Sequence, residues 1–275
     1  MIIGINAGIG GGKDTTAQII QYLISYHNNQ YKHPINESDF NSYFKNKHYI
    51  KSTWQVRKFA DKLKDIVCLL IGCTREQLED RAFRDIELGE EWWYYTRLGR
   101  LTSYLEDKHF DYSTLDLVKL TPRKLLQLLG TEAGRNIIHP DIWINATLNE
   151  YKPTDSNIND SILDMKDEDK IYPNWLITDL RFFNEYNRLR KYEDTMIVHV
   201  YRPLWQRLNW HKPDTEEDIL NQLKETNVEL YKTLTHSSET EFESLIRKCD
   251  VVIDNSYDID NLIEEVNTKI IPLLK

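Results

Sequence analysis

A chain of 275 residues that is 40% hydrophobic can bury a substantial core, and its length fits one large domain with insertions. Its formal charge of −9 argues against a general nucleic-acid coat, because binding a phosphate backbone takes clustered Lys and Arg; small phosphorylated ligands stay open. Three cysteines without CxxC spacing argue against a disulfide framework or a thiolate zinc site, and no apolar run approaches the ~20 residues of a membrane span, so the chain reads as soluble and cytoplasmic with no cleaved leader.

The first element is the apolar run MIIGIN (1–6), read as a buried parallel strand. The glycine-rich NAGIGGGKDTT (6–16) follows, and then a helix over 13–26 with apolar residues at Ala17, Ile20, Leu23 and Ile24. Strand, glycine loop and helix make the first half of a βαβ unit. VRKFA (56–60) is a further strand candidate, and TREQ (74–77) has the form of a capping box. In TPRKLLQLLG, Thr121 reads as an N-cap, Pro122 as the first helical residue and Gly130 as the residue just past the end. WLITDL (175–180), MIVHVY (196–201) and DVVID (250–254) read as buried strands, and 256–270 as a closing helix on Ile259, Leu262, Ile263 and Val266. Strands separated by helices predict a parallel α/β sheet. The aromatic stretch 89–112 and the acidic stretch 152–170 break this rhythm, the second as a surface loop.

The loop at 6–16 carries the most chemistry. A phosphate loop turns consecutive backbone N–H groups toward phosphate at a helix start, adds a Lys for the β and γ phosphates, and usually adds a hydroxyl for Mg²⁺. Against G-x-x-x-x-G-K-[S/T], this chain has Ala7 at the first glycine, Gly12 and Lys13 in place, and Asp14 at the hydroxyl position, followed by Thr15 and Thr16. Ala7 is acceptable if its φ is negative. Asp14 implies metal dependence, since a carboxylate repels triphosphate unless a cation lies between them. The plain alternative is a glycine turn capped by an acidic helix start.

Asp179 closes a strand at the edge where parallel sheets present residues to ligands, and is a candidate for the Mg²⁺ water shell. Arg181 follows as a phosphate ligand, or the two form a structural ion pair. Arg123, Gln127 and Arg135 lie in RKLLQLLGTEAGR (123–135), with Gln127 a candidate reader of a base edge; Trp143 is either a stacking platform or core. His236 and Glu239 read as a solvated loop, and the absence of HExxH spacing gives no zinc site.

GKDTTA, FADKLKD (59–65), RKLLQLLGTEAGR with HPDIWI, ITDLRFFNE, VHVYRP (198–203) and HSSE, in that order, resemble the bacteriophage deoxynucleoside monophosphate kinase family over most of the chain. GKDT with Asp14 is that family's own variant of the loop, whereas the family has Gly where this chain has Ala7. The resemblance implies transfer of the γ-phosphate of ATP to a deoxynucleoside 5′-monophosphate, with Mg²⁺, for DNA precursor synthesis. It also implies a P-loop kinase-type three-layer α/β/α fold with a mainly parallel sheet, helical insertions and a lid. On that reading 1–275 is a single domain with an insertion at about 85–118, a loop at about 152–172 and a lid at about 202–240.

Carried over residue by residue, Gly10, Gly11, Gly12, Lys13, Asp14, Thr15 and Thr16 hold ATP, with Asp14 and Asp179 on the metal. Gln127, Gly130, Thr131, Arg135, Trp143, Asp179, Arg181 and Glu185 bind the acceptor, and Arg84 is a candidate for its phosphate. Lys13, Arg181 and Asp179 are the catalytic candidates, Arg202 opens the lid, Asn255 borders the adenine, and Lys64 matches a family position without a role. The implied partners are the nucleotides, with no nucleic acid and no membrane, and a homodimer stays open. Three other readings stay open: another small-molecule P-loop kinase of the dephospho-coenzyme A kinase type, a non-catalytic nucleotide-binding regulator, and a nucleic-acid-dependent ATPase.

Overall fold

The structure is a computed structural model describing residues 1–28, 35–45, 53–97, 100–101, 116–153, 171–235 and 241–274. His236, Glu239, residues 98–99 and 102–115 of the insertion at 85–118, and most of the loop at 152–172 lie outside the described residues. The described residues group into two compact units, Met1–Phe59 with Thr147–Lys275, and Ala60–Ala146.

The larger unit begins with β1 (Ile2–Asn6), α1 (Lys13–His27), α2 (Glu37–Lys45) and β2 (Trp54–Arg57). The smaller unit contributes α3 (Asp61–Ile71), α4 (Arg75–Glu79), α5 (Arg81–Arg84), β3 (Tyr94–Arg97), β4 (Arg100–Leu101), β5 (Asp116–Val118) and α6 (Pro122–Gln127), and α7 (Ile142–Leu148) leads out of it. The larger unit then resumes with β6 (Asn174–Leu180), α8 (Phe183–Leu189), β7 (Thr195–Tyr201), α9 (Leu204–Arg207), α10 (Glu216–Thr226), α11 (Val228–Leu234), β8 (Val251–Asp254) and α12 (Ile259–Lys269).

Five strands form the main sheet in the order β2-β6-β1-β7-β8, and every pairing is parallel. Period-two alternation sorts the strand residues onto two faces. Ile3, Ile5, Met196, Val198, Val200, Val251 and Ile253 share one core with Ala17, Ile20 and Leu23 of α1 and Leu262, Ile263 and Val266 of α12. At about 1.5–3 kcal/mol for each large apolar side chain buried, this face is the main source of the unit's stability. On the other face α8 comes so close that a Cβ at Gly4 would lie 2.9 Å from Leu189 Cδ1 and 3.0 Å from Ile197 Cδ1. Helices on both faces of a parallel sheet give the expected three-layer α/β/α arrangement.

Because all five strands run the same way, their carboxyl ends share one edge, and β1 sits at its centre with β6 and β7 on either side. Chain connections diverge there, which is where open α/β sheets bind ligands. The register adds a detail. Gly4 pairs with Ile177 but Asn6 pairs with Leu180, so Thr178 and Asp179 together face Ile5 in a bulge. A bulge re-aims side chains, here at the end of a central strand.

Two boundaries differ from the sequence reading. The strand expected over 56–60 runs Trp54–Arg57, because Lys58 and Phe59 turn out of the sheet edge into the connection to α3. Gly130 does not end a helix. Thr121 caps α6 and Pro122 opens it as expected, but the helix continues through a wide π-helical stretch, Leu128–Ile138. Gly130 lies close to α3, where a Cβ would lie 2.7 Å from Leu63 Cδ2. The Thr74 capping box forms with both of its bonds.

The smaller unit adds an antiparallel sheet in the order β4-β3-β5 within the expected insertion. Across 202–235, α9, α10 and α11 gather around their own apolar cluster of Leu204, Ile219, Leu223 and Leu234. Among the described residues, no helix is long and apolar enough to cross a membrane.

Candidate nucleotide-binding site

The loop between β1 and α1 has the backbone of a phosphate cradle. Gly10 at φ 72° and Gly12 at φ 99° occupy left-handed conformations that a Cβ disfavours. Gly12 N-caps α1 while the Gly11 N–H donates to the Gly8 carbonyl at 3.0 Å, so the chain turns tightly into the helix. The loop thus lies against the N-terminus of a 15-residue helix, the positive end of its dipole. Lys13 Nζ folds back over the loop and donates to the carbonyls of Ala7 at 2.6 Å and Gly8 at 3.2 Å. An ammonium held by carbonyls can exchange them for phosphate oxygens.

Ala7 meets its sequence-level condition. Asn209 is the one non-glycine residue at positive φ among those described, so Ala7 sits at negative φ without strain. Its methyl group is 2% exposed, and a Cβ at Gly11 would lie 2.7 Å from it. The methyl group therefore occupies space that Gly11 leaves.

Asp14 is held from two directions. Lys58 Nζ, just past β2, lies 2.8 Å from its Oδ1, and Thr178 Oγ1–H from the bulge donates to the same oxygen at 2.8 Å. Partial desolvation works to raise the pKa of Asp14, but the Lys58 ammonium, the Thr178 hydroxyl and Lys13 outweigh it, holding the carboxyl below the ordinary Asp range. Both contacts fall on Oδ1. The side chain is 65% exposed. Asp179 Oδ1, also in the bulge, accepts the Phe59 backbone N–H at 2.8 Å. Residues 58 and 59 therefore engage both carboxylates assigned to the metal.

Among the described residues no cluster of three or more His, Cys, Asp or Glu side chains forms a ready-made metal cage. Mg²⁺ keeps water and takes one or two carboxylates alongside substrate phosphates, a donor set of the kind Asp14 and Asp179 would supply. Thr16 is fully buried, and its hydroxyl has no hydrogen-bond partner among the described residues. Thr15 beside it is half-buried.

Glu185 lies 1% exposed at the start of α8, where its Oε2 accepts the backbone N–H groups of Arg181 at 2.8 Å and Phe182 at 3.0 Å. The buried carboxylate thereby fixes the turn carrying Arg181 beyond the sheet edge. The segment after β7 places Arg207 on the loop: its Nη1 donates to the Ile9 carbonyl at 3.3 Å, and a Cβ at Gly8 would collide with it. Arg202, chosen from sequence, is half-buried, and its Nε has no hydrogen-bond partner among the described residues. Asn255 Nδ2 donates to the Gly11 carbonyl at 3.0 Å and so braces the loop from the end of β8.

Beneath the loop, His199 is 3% exposed, and its Nδ1 lies 2.8 Å from Asn6 Oδ1. Asn6 in turn donates to the Leu180 carbonyl at 3.3 Å, so the three central strand ends are cross-linked by polar side chains. Burial, with the charges of Lys13 and Arg207, lowers the His199 pKa to about 4. The ring is neutral at pH 7 and donates its Nδ1–H to Asn6.

The acceptor candidates in the smaller unit are placed as follows. Arg84 has its pKa lowered by burial and by neighbouring Arg123 and Arg81, and its Nε is buried without a hydrogen-bond partner. Arg123 is paired to Asp85 through two bonds. Trp143 takes the core position of its two readings: it is 5% exposed, and its Nε1–H donates to the Gly130 carbonyl at 2.8 Å. Gln127 is exposed and accepts from Lys124 Nζ at 3.4 Å, while Thr131 and Arg135 are half-buried. Lys64 pairs with Glu79 at 2.6 Å.

Sequence reasoning missed Lys58, Thr178, Arg207, His199 and Asn6. The available signal was position: each stands at or just beyond the carboxyl end of a strand, or on the helix that follows one.

A glycine loop between the central strand and the first helix, with a lysine over its carbonyls and carboxylates at the same sheet edge, has the arrangement of a phosphate-binding loop. Over 230 residues the chain is 25% identical to the deoxynucleoside-5′-monophosphate kinase of Escherichia phage T5, covering 73% of this chain and 77% of that protein. The likeness read from the ordered motifs is therefore met across most of the chain, and this distant relationship supports a phosphotransferase. No family model matches. The crystal structure of TT1252 from Thermus thermophilus aligns over 97% of this chain and 94% of that one at a TM-score of 0.39 and 14% identity.

Proposed function

We propose that the protein transfers the γ-phosphoryl group of ATP to a deoxynucleoside 5′-monophosphate, releasing ADP and the diphosphate. The observation carrying this reading is the strand–loop–helix cradle with Lys13 folded over it, at the central edge of a parallel sheet. The acceptor is already an anion and needs no strong base, so the chain's work is to align two anions and neutralise their charge.

In this reading an acceptor phosphate oxygen bonds to the γ phosphorus as the bond from that phosphorus to the β–γ bridging oxygen breaks. Lys13 exchanges its carbonyl contacts for β and γ oxygens, and Arg207 adds charge from above the loop. Arg181, on the turn fixed by Glu185, holds acceptor phosphate. Gly10, Gly11 and Gly12 supply backbone N–H groups, and Thr15 and Thr16 supply hydroxyls. Asp14 and Asp179 would hold Mg²⁺ through its water shell, and the ion would neutralise charge on the β and γ oxygens.

The test is transfer of labelled γ-phosphate to each of the four natural deoxynucleoside monophosphates, with dephospho-coenzyme A in parallel. Diphosphate product on at least one deoxynucleotide is expected. Transfer to dephospho-coenzyme A alone would replace this reading with the dephospho-coenzyme A kinase type, and ATP binding without transfer with the non-catalytic regulator.

A further inference from the structure

We propose that Lys58 is a positioning residue for the phosphate loop, the built-in counter-ion that allows the carboxylate of Asp14 to stand where such loops carry a hydroxyl. This rests on the nucleotide-binding reading above. A bare carboxylate at the end of the loop would repel a triphosphate. The structure sets an ammonium on it at 2.8 Å before any ligand arrives.

The contact is built by the fold. Lys58 leaves the edge strand β2 at the carboxyl edge of the sheet, and the residue after it is pinned twice: the Phe59 N–H donates to Asp179, and the Phe59 ring is 1% exposed. Behind it, Thr147 Oγ1 donates to the Lys58 carbonyl at 3.5 Å. The backbone at Lys58 is thus fixed while its ammonium reaches Asp14. Thr178, brought in by the bulge, donates to the same oxygen and holds the carboxylate in one orientation.

The exposures of the two side chains, 30% for Lys58 and 65% for Asp14, point the same way. An ion pair this open to water adds little to folding stability. Its effect falls on an anion entering the loop, where cancelling the charge of Asp14 matters most.

The experiment is a double-mutant cycle on the full chain, reading ATP affinity by calorimetry in EDTA, so that no metal stands between Asp14 and the phosphates. Lys58→Met keeps the aliphatic stem and removes the charge, and Asp14→Asn removes the opposing charge. Lys58→Met is expected to weaken ATP binding roughly tenfold, mid-range for groups in direct contact. Asp14→Asn with Lys58→Met should restore most of that loss, and Lys58→Arg should keep near-native affinity. Strictly additive losses overturn the proposal, since they would mean that Lys58 touches phosphate itself or acts elsewhere. A large fall in the unfolding midpoint of Lys58→Met also overturns it. A wild-type chain that binds ATP and shows the coupling, yet phosphorylates nothing, sinks the catalytic reading and leaves the role of Lys58 standing. A chain that binds no ATP in EDTA but binds it with Mg²⁺ overturns the role of Lys58 alone, and one that binds none under either condition sinks both.

Discussion

His199 makes the loop's electrostatics measurable without any ligand. The ring is 3% exposed and shares its surroundings with two cations, and its pKa falls from 6.5 to about 4. Above about pH 6.5 the ring is neutral in folded and unfolded chains alike, and its full contribution to stability is present. As pH falls through that value the unfolded chain takes up a proton that the folded chain refuses. Stability then drops by about 1.4 kcal/mol per pH unit, reaching about 3 kcal/mol by about pH 4, where the folded ring also protonates. Urea unfolding of wild type and His199→Gln from about pH 8 to about pH 4 isolates this term, because the carboxylates common to both proteins cancel in the difference. The wild-type advantage should shrink toward acid over that window. A difference that stays level would refute the buried neutral imidazole and the placement of Lys13 and Arg207 beside it.

If the proposed reaction holds, Lys13→Ala removes the donor it aims at developing charge and should cost about 3 kcal/mol in the barrier, on the order of a hundredfold in turnover at saturating ATP. Near-normal turnover would show that the loop is not catalytic. Gly12→Ala forces a Cβ into a left-handed conformation and into Asn255 Nδ2, so a loss of about 1–2 kcal/mol from the backbone alone should lower the denaturation midpoint. Glu185→Ala removes the carboxylate that accepts two part-buried backbone N–H groups; about 1–3 kcal/mol of destabilisation in total is expected by chemical denaturation, with KM for the acceptor rising as Arg181 loses its fixed turn.

Most of the sheet could be read from sequence because β1, β6 and β7 lie deep enough to appear as nearly unbroken apolar runs, and β8, though at the other edge, keeps the apolar run Val251, Val252 and Ile253. β2 was misplaced for the opposite reason: it is an edge strand, its Gln55 and Val56 are exposed, and the apolar Phe59 beyond it belongs to the connection. Gly130 carried a helix-end signal, yet it stands against Leu63, a residue remote in sequence and invisible to any local rule. The loop and Lys13 were legible because their chemistry is contiguous. Lys58, Thr178 and Arg207 were not, because a parallel sheet assembles its ligand edge from strand ends far apart in the chain, and a bulge of one residue leaves no trace in composition. Asp14 stood out as a departure, but its partner could be named only once β2 was placed beside β6.

The contact between the Ala7 methyl group and the space left by Gly11 bears on how such loops are recognised. A motif that scores each position separately records alanine at 7 as a defect and glycine at 11 as filler. The two positions hold one side chain between them, so the meaningful unit is the pair, and a second methyl group at position 11 is what the loop refuses. Searches for phosphate loops in divergent chains should therefore let the small residue move within the turn, and should weigh total side-chain volume along the loop above a glycine at any fixed place.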